Sequence, residues 1–247
     1  MFSRLIGALF VGLIALPAAA MDLKAMSDEE RALFRAEVRA YLLENPEVIM
    51  EAGELFQVRE AEQAAQADFA LVANNIEALF NDGYSWVGGN PDGDITLVEF
   101  LDYRCGYCKR AHDEVATLLE ADGNIRLIVK EFPILGEQSV LASRFAVATK
   151  QVAGDESYKA LHDALMEFNG EVTLPALRRL ASTFGLDAAA IEAHMQSDAV
   201  TREIAQTRAL AQALKISGTP TFVLEDELLR GYLRYDQMEA LVNAKRG

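Results

Sequence analysis

An α/β domain with a helical insertion, preceded by an all-helical arm, is the fold class this sequence predicts. Three observations predict it. Strand-like and helix-like stretches alternate only after residue 81, a strand-helix-strand unit surrounds residues 95–132, and residues 137–214 are mostly helical, with breaks near Gly154, Gly170 and Gly185. A chain of 247 residues, 51% of them hydrophobic, can bury such a core, and a formal net charge of −15 argues against nucleic acid as a partner. Its two cysteines close one small loop at most, which excludes a disulfide-stapled miniprotein.

The N-terminus reads as an export signal. Met1 to Arg4 form a short basic start, Leu5 to Leu16 an apolar run, and Pro17-Ala18-Ala19-Ala20 a small-residue cleavage site. A membrane anchor needs about 20 apolar residues, and Met21-Asp22-Leu23-Lys24 breaks the run. The expectation is a signal peptide over residues 1–20 and a mature protein in a periplasm-like compartment, where disulfides form and persist.

Residues 21–80 are expected to be the arm. Ser27 with Glu30 makes a capping box, and Leu33, Phe34, Val38, Tyr41 and Leu42 fall at helical spacing. Asn45-Pro46 ends this helix and starts another carrying Val48, Ile49, Leu55 and Phe56. "QVREAEQAAQAD", residues 57–68, keeps helix propensity but lacks large apolar side chains, as a solvated rod or linker would. Apolar spacing resumes at Phe69, Val72, Ile76, Leu79 and Phe80, and Asn81-Asp82-Gly83 is the break. Such a stripe must be buried on the chain's own domain or on copies of itself, and the polar middle favours a projecting arm that self-associates.

The domain is expected over residues 81–247. "SWVGG" and "ITLVEFLDY" (Ile95 to Tyr103) flank Asn90-Pro91-Asp92-Gly93, which predicts a hairpin whose second strand is apolar enough to be central. A helix follows over 106–120, Asp122-Gly123 stops it, and "IRLIVKEF" (Ile125 to Phe132) completes a right-handed βαβ unit. After the insertion, Thr221 to Leu224 and Leu228 to Gly231 read as a turn-separated strand pair, and Tyr235 to Ala244 as a last helix.

Cys105-Gly106-Tyr107-Cys108 stands where the first strand of the βαβ unit meets its helix. There the unpaired N–H groups and positive end of the helix stabilise a Cys105 thiolate, and Arg104, Lys109 and Arg110 add positive charge. Cys108, one turn in, is expected to be buried and to act as the resolving thiol. Zinc is disfavoured because no second Cys-x-x-Cys exists and His162 and His194 lie far along the chain from His112, itself read as a surface residue. Covalent haem needs histidine where Lys109 stands. No cofactor is expected beyond a redox-active Cys105-Cys108 disulfide, and no metal.

The βαβ unit with this motif, the interrupting helices and "ISGTPTFV" (Ile216 to Val223) together resemble the DsbA family of thioredoxin-fold disulfide oxidoreductases over residues 82–245. The resemblance implies a cis Thr219-Pro220 bond facing the active-site disulfide, and implies that Glu99 is the buried acid exchanging protons with Cys108; an ordinary solvent-facing strand carboxylate is the alternative for Glu99. "RAYLLENPEVIMEA" (Arg39 to Ala52) and "KEFPILGEQSVLAS" (Lys130 to Ser143) are similar to the copper-sensitivity-suppressor C (ScsC) and Com1-like branch, which implies oligomerisation through the N-terminal extension.

Gly-Tyr between the cysteines and Thr before the proline resemble the DsbC isomerases, and an uncharged dipeptide makes a disulfide less oxidising. The expected activity is therefore isomerase or reductase toward unfolded or misoxidised exported proteins, with a membrane thiol-redox partner as electron donor. A DsbA-type dithiol oxidase, a chaperone whose thiols are incidental, and a copper-binding protein using both cysteines are the alternatives.

Overall fold

The computed structural model describes residues 24–247. The expected signal peptide, residues 1–20, lies outside them. The chain divides into two compact units between Glu60 and Ala61.

The first unit contains α1 (Asp28–Glu44) and the first half of α2 (Glu47–Ala73). Ser27 caps α1 reciprocally with Glu30: the Ser27 N–H donates to Glu30 Oε2 at 2.8 Å and the Glu30 N–H to Ser27 Oγ at 3.2 Å. No residue of α1 is buried. Leu33, Phe34, Val38 and Tyr41 are exposed, as are Ile49, Leu55 and Phe56 on α2. Residues 57–67 are exposed, and Asp68 is half-buried and paired with Arg230.

The second unit starts at Ala61, well before the boundary expected at residue 81. The end of α2 and the short α3 (Ile76–Phe80) bury Val72 and Leu79 against Val98, Phe100 and Ile128 on the sheet. Side chains of that size at helical spacing cover a sheet face, so this last stretch is domain core rather than arm.

Five strands follow: β1 (Trp86–Gly89), β2 (Ile95–Leu101), β3 (Ile125–Glu131), β4 (Thr221–Leu224) and β5 (Glu227–Arg230), in the order β1-β3-β2-β4-β5. Helix α4 (Gly106–Asp122) joins β2 to its parallel neighbour β3, as a βαβ unit requires. The insertion comprises α5 (Glu137–Ala153), α6 (Asp155–Glu167), α7 (Leu174–Thr183), α8 (Ala188–His194) and α9 (Asp198–Ala213), and α10 (Tyr235–Arg246) closes the chain.

The expected β1-β2 hairpin is not formed. Trp86 pairs with Val129 and Gly89 with Arg126, antiparallel, so β3 lies between β1 and β2. The intervening turn runs over the start of β3: the Asn90 N–H donates to Ile125 O at 2.8 Å, and a Cβ at Gly89 (φ +65°) would stand 2.3 Å from that same oxygen. The apolar β2 is buried on both faces and takes the centre of the sheet, where its edges go to β3 and β4.

The pleat sorts the core by parity. Leu97 and Leu101 of β2 and Leu127 and Val129 of β3 face Cys108, Ala111 and Val115 of α4, while Val98, Phe100 and Ile128 face the opposite layer with Leu210 and Leu214. Glu99 shares parity with Leu97 and Leu101, which puts its carboxylate on the α4 side.

Candidate active site

Strand β2 delivers the chain to a tight corner at Asp102-Tyr103-Arg104. Asp102 is fully buried and fixes that corner: Oδ1 accepts the Arg104 N–H at 2.8 Å, and Oδ2 accepts the N–H groups of Ile134 and Leu135 at 2.8 and 3.0 Å. The Cys105 N–H donates to Asp102 O at 3.0 Å, and Cys105 becomes the N-cap of α4, its sulfur 3.4 Å from the Cys108 N–H. Both cysteines are free thiols here; Cys105 retains 7% exposure and Cys108 none.

Thr219 lies on the other side of Cys105. The Thr219-Pro220 bond is cis, and the Cys105 thiol donates to Thr219 O at 3.1 Å. That bond is lost on ionisation, and the buried, unpartnered Thr219 Oγ1 is then a donor available to the sulfur. Pro220 O is already taken by the Gly231 N–H at 3.0 Å.

The two thiols are strongly asymmetric. The Cys108 thiol donating to Cys105 is the largest influence on it; together with Thr219 and the N–H groups of Cys108 and Tyr107 it outweighs burial and holds the Cys105 thiol down at about 5. The same hydrogen bond, then burial, then the charge of Glu99 push Cys108 far up.

Glu99 is 2% exposed and its Oε1 has no hydrogen-bond partner, so the solvent-facing alternative does not hold. Burial raises its carboxyl to about 7, against a smaller opposing effect of His112.

The three cations near the motif also serve as loop anchors and a ring partner. Arg104 Nη1 donates to Gly170 O at 3.0 Å, Lys109 Nζ to Phe168 O, and Arg110 stacks 5.0 Å from the Tyr107 ring centroid. His112 is not the surface residue expected. Its ring packs 5.2 Å from that of His162, and Nε2 lies 3.3 Å from Asp163 Oδ1.

Sequence reasoning also missed Glu131. Its buried carboxyl accepts Tyr103 OH at 2.6 Å, Tyr158 OH at 2.7 Å and Ser143 Oγ at 2.7 Å, and burial raises it to about 7 despite those donors. The clue available in the sequence was parity, since Glu131 follows Leu127 and Val129 on the α4 side of β3.

A thiol held near 5 at a helix N-cap, a buried second thiol and a cis-proline loop against the first sulfur form a dithiol exchange centre. The DsbA-like thioredoxin domain matches residues 96–243 and the N-terminal domain of the copper resistance protein ScsC matches residues 30–63. The chain belongs to the DsbA-like thioredoxin family. Members of this thiol-disulfide oxidoreductase family include close structural matches. A thioredoxin-like oxidoreductase from Silicibacter pomeroyi is 45% identical, with a TM-score of 0.65 over 69% of this chain and 96% of that one. Proteus mirabilis ScsC in a transitional conformation is 28% identical with a TM-score of 0.64, covering 89% of this chain and 98% of that one. Over 156 residues the chain is 28% identical to the Na+/H+ antiporter NhaA 3 of Salinispora tropica, a match that takes in 63% of this chain and only 24% of that curated relative. No helix among the described residues is long and apolar enough to cross a membrane.

Proposed function

We propose that the chain is a periplasmic disulfide isomerase or reductase for misoxidised exported proteins. Cys105 attacks a substrate disulfide, Cys108 resolves the mixed disulfide, Glu99 takes and returns the Cys108 proton, and Thr219 and Pro220 line the place where an extended substrate pairs. The observation that carries the exchange chemistry is the asymmetry of the thiols, with Cys105 near 5 and Cys108 pushed up, and the uncharged Gly106-Tyr107 pair is what favours isomerase or reductase. A value near 5 lies between about 7 for thioredoxin and about 3.5 for the strongly oxidising DsbA. Intermediate poise keeps a population of dithiol ready to attack, and a membrane electron donor would maintain it. The exposed Tyr107, its ring 6.3 Å from that of Tyr232, offers unfolded chains an aromatic contact beside the sulfur.

The reduced chain should restore activity to a scrambled-disulfide test protein faster than the oxidised chain forms disulfides in a reduced one; the reverse ranking would overturn the isomerase assignment. One observation favours that reverse reading, a dithiol oxidase: stabilising the Cys105 thiolate stabilises the reduced enzyme, which makes its disulfide the stronger oxidant.

The exposed apolar residues of α1 and α2 support homo-oligomerisation through the arm. Sedimentation should show a concentration-dependent oligomer for the mature chain and a monomer for a chain starting at Ala61. That truncation keeps Val72 and Leu79 in the core, which one starting at Asn81 would remove. A strictly monomeric mature chain would contradict the proposal.

A further inference from the structure

His112 on α4, one turn beyond Cys108, meets His162 and Asp163 on α6, and one donor atom from each residue lies within 4.8 Å of the other two. The cluster lies apart from the two sulfurs and bears on the dithiol centre only through the effect of His112 on Glu99. We propose that His112, His162 and Asp163 form a binding site for a divalent cation of the Zn2+ type, with two imidazole nitrogens, one carboxylate oxygen and a fourth position left for water.

Three features of the cluster support it: the spacing of its donors, a carboxylate oxygen without a hydrogen bond, and the tautomer of His162. Bonds of about 2.0–2.1 Å in a tetrahedral site place donor atoms roughly 3.3–3.4 Å apart, and His112 Nε2 and Asp163 Oδ1 are already 3.3 Å apart. Asp163 Oδ1 is buried and turned to the histidines, within ion-pair range of His112 Nε2 but without a completed hydrogen bond, while Oδ2 is occupied by Lys159.

The tautomer of His162 follows from its partners. With Glu131 ionised, Tyr103 OH donates its one proton to Glu131 Oε1 at 2.6 Å, accepts in the 2.9 Å contact with His162, and His162 Nδ1 carries the hydrogen. The Nε2 lone pair is left for a ligand. An imidazole fixed through its second nitrogen by a chain ending at a carboxylate is the outer shell that metal-binding histidines use.

The donor set suits Zn2+ and related borderline ions rather than Ca2+ or Mg2+, which want oxygen. A bound ion would tie α4, the helix that carries both cysteines, to the insertion, without using either sulfur.

Zn2+ competition against a chromophoric chelator tests the site at neutral pH, on the full mature chain with Cys105 and Cys108 oxidised to the disulfide so that no thiolate competes. One Zn2+ per chain with a micromolar or tighter Kd is expected. Asp163→Asn and His112→Gln, both at partly exposed positions, should each weaken binding about tenfold or more, and His194→Gln, at the remaining histidine, should leave it unchanged. X-ray absorption of the loaded chain should show nitrogen and oxygen neighbours near 2.0–2.1 Å and none at about 2.3 Å, the zinc-sulfur distance. A Kd weaker than about 100 µM, equal affinity in the Asp163 and His112 variants, or a sulfur neighbour would overturn the proposal.

Discussion

Cys105→Ser is expected to lower thiol-disulfide exchange by at least about a thousandfold, since serine supplies no thiolate at neutral pH. Cys108→Ser is expected to do something different: to accumulate covalent complexes with substrate. In the first step the Cys105 thiolate attacks one sulfur of a substrate disulfide; that S–S bond breaks, a mixed disulfide forms, and the other substrate sulfur leaves as thiolate. Cys108 then attacks Cys105 Sγ, which releases the substrate reduced by two electrons and leaves Cys105-Cys108 oxidised by two. Without Cys108 the complex waits for a substrate thiol. The geometry assigns these roles in one direction only, because Cys105 faces Thr219 and retains exposure whereas Cys108 is sealed. Non-reducing electrophoresis after mixing with a scrambled test protein should show adducts for Cys108→Ser and none for the double variant. Adducts of equal yield with Cys105→Ser alone would reverse the assignment.

Glu99→Gln is expected to stabilise the reduced protein at pH 8 while slowing its turnover. The Glu99 carboxyl titrates at about 7 in the folded chain, against a reference value of 4.5. An acid whose folded value is raised contributes its full stability below the unfolded value and loses it as pH climbs through the folded one. The loss therefore develops between about pH 4.5 and 7 and amounts at pH 8 to roughly 3 kcal/mol. Glutamine does not ionise, so urea unfolding should give a variant more stable by about 2–3 kcal/mol at pH 8 and equal to the parent at pH 4. Loss of the proton acceptor beneath α4 should at the same time slow resolution by Cys108 about a hundredfold. A stability gain of the same size at both pH values would contradict the buried ionisation, and unchanged turnover would contradict the proton-transfer role.

The sequence made the exchange centre legible because its parts are local. A strand, two cysteines one helical turn apart and the helix they cap occupy consecutive residues, and Gly-Thr-Pro before β4 supplied the facing loop by resemblance. The parity of Leu97, Glu99 and Leu101 already carried the face of Glu99, once β2 is known to be buried on both sides. Pairing was less legible: β1 and β2 are close in sequence, yet β3 comes between them, because the centre of a sheet is assigned by burial on both faces and not by proximity along the chain. The boundary of the arm was misplaced for a related reason. Residues at helical spacing do not say what they pack on, and Val72 and Leu79 chose the sheet while Leu33 and Phe34 remained exposed. The grouping of His112 with His162 and Asp163, and of Tyr103 with Glu131, had no local signature, since the first joins α4 to the insertion and the second joins the corner after β2 to the end of β3.

The most direct test of the account is the titration of the Cys105 thiolate, followed by its absorbance near 240 nm in the reduced chain and in Cys105→Ser. The account predicts a single thiolate appearing with a midpoint at about 5, absent from the Cys105→Ser variant, and no second thiolate up to the alkaline limit of folding. A midpoint close to 9, the ordinary value for cysteine, or a low-pH thiolate that survives Cys105→Ser, would contradict the claim that the N-cap of α4 makes Cys105 the attacking sulfur.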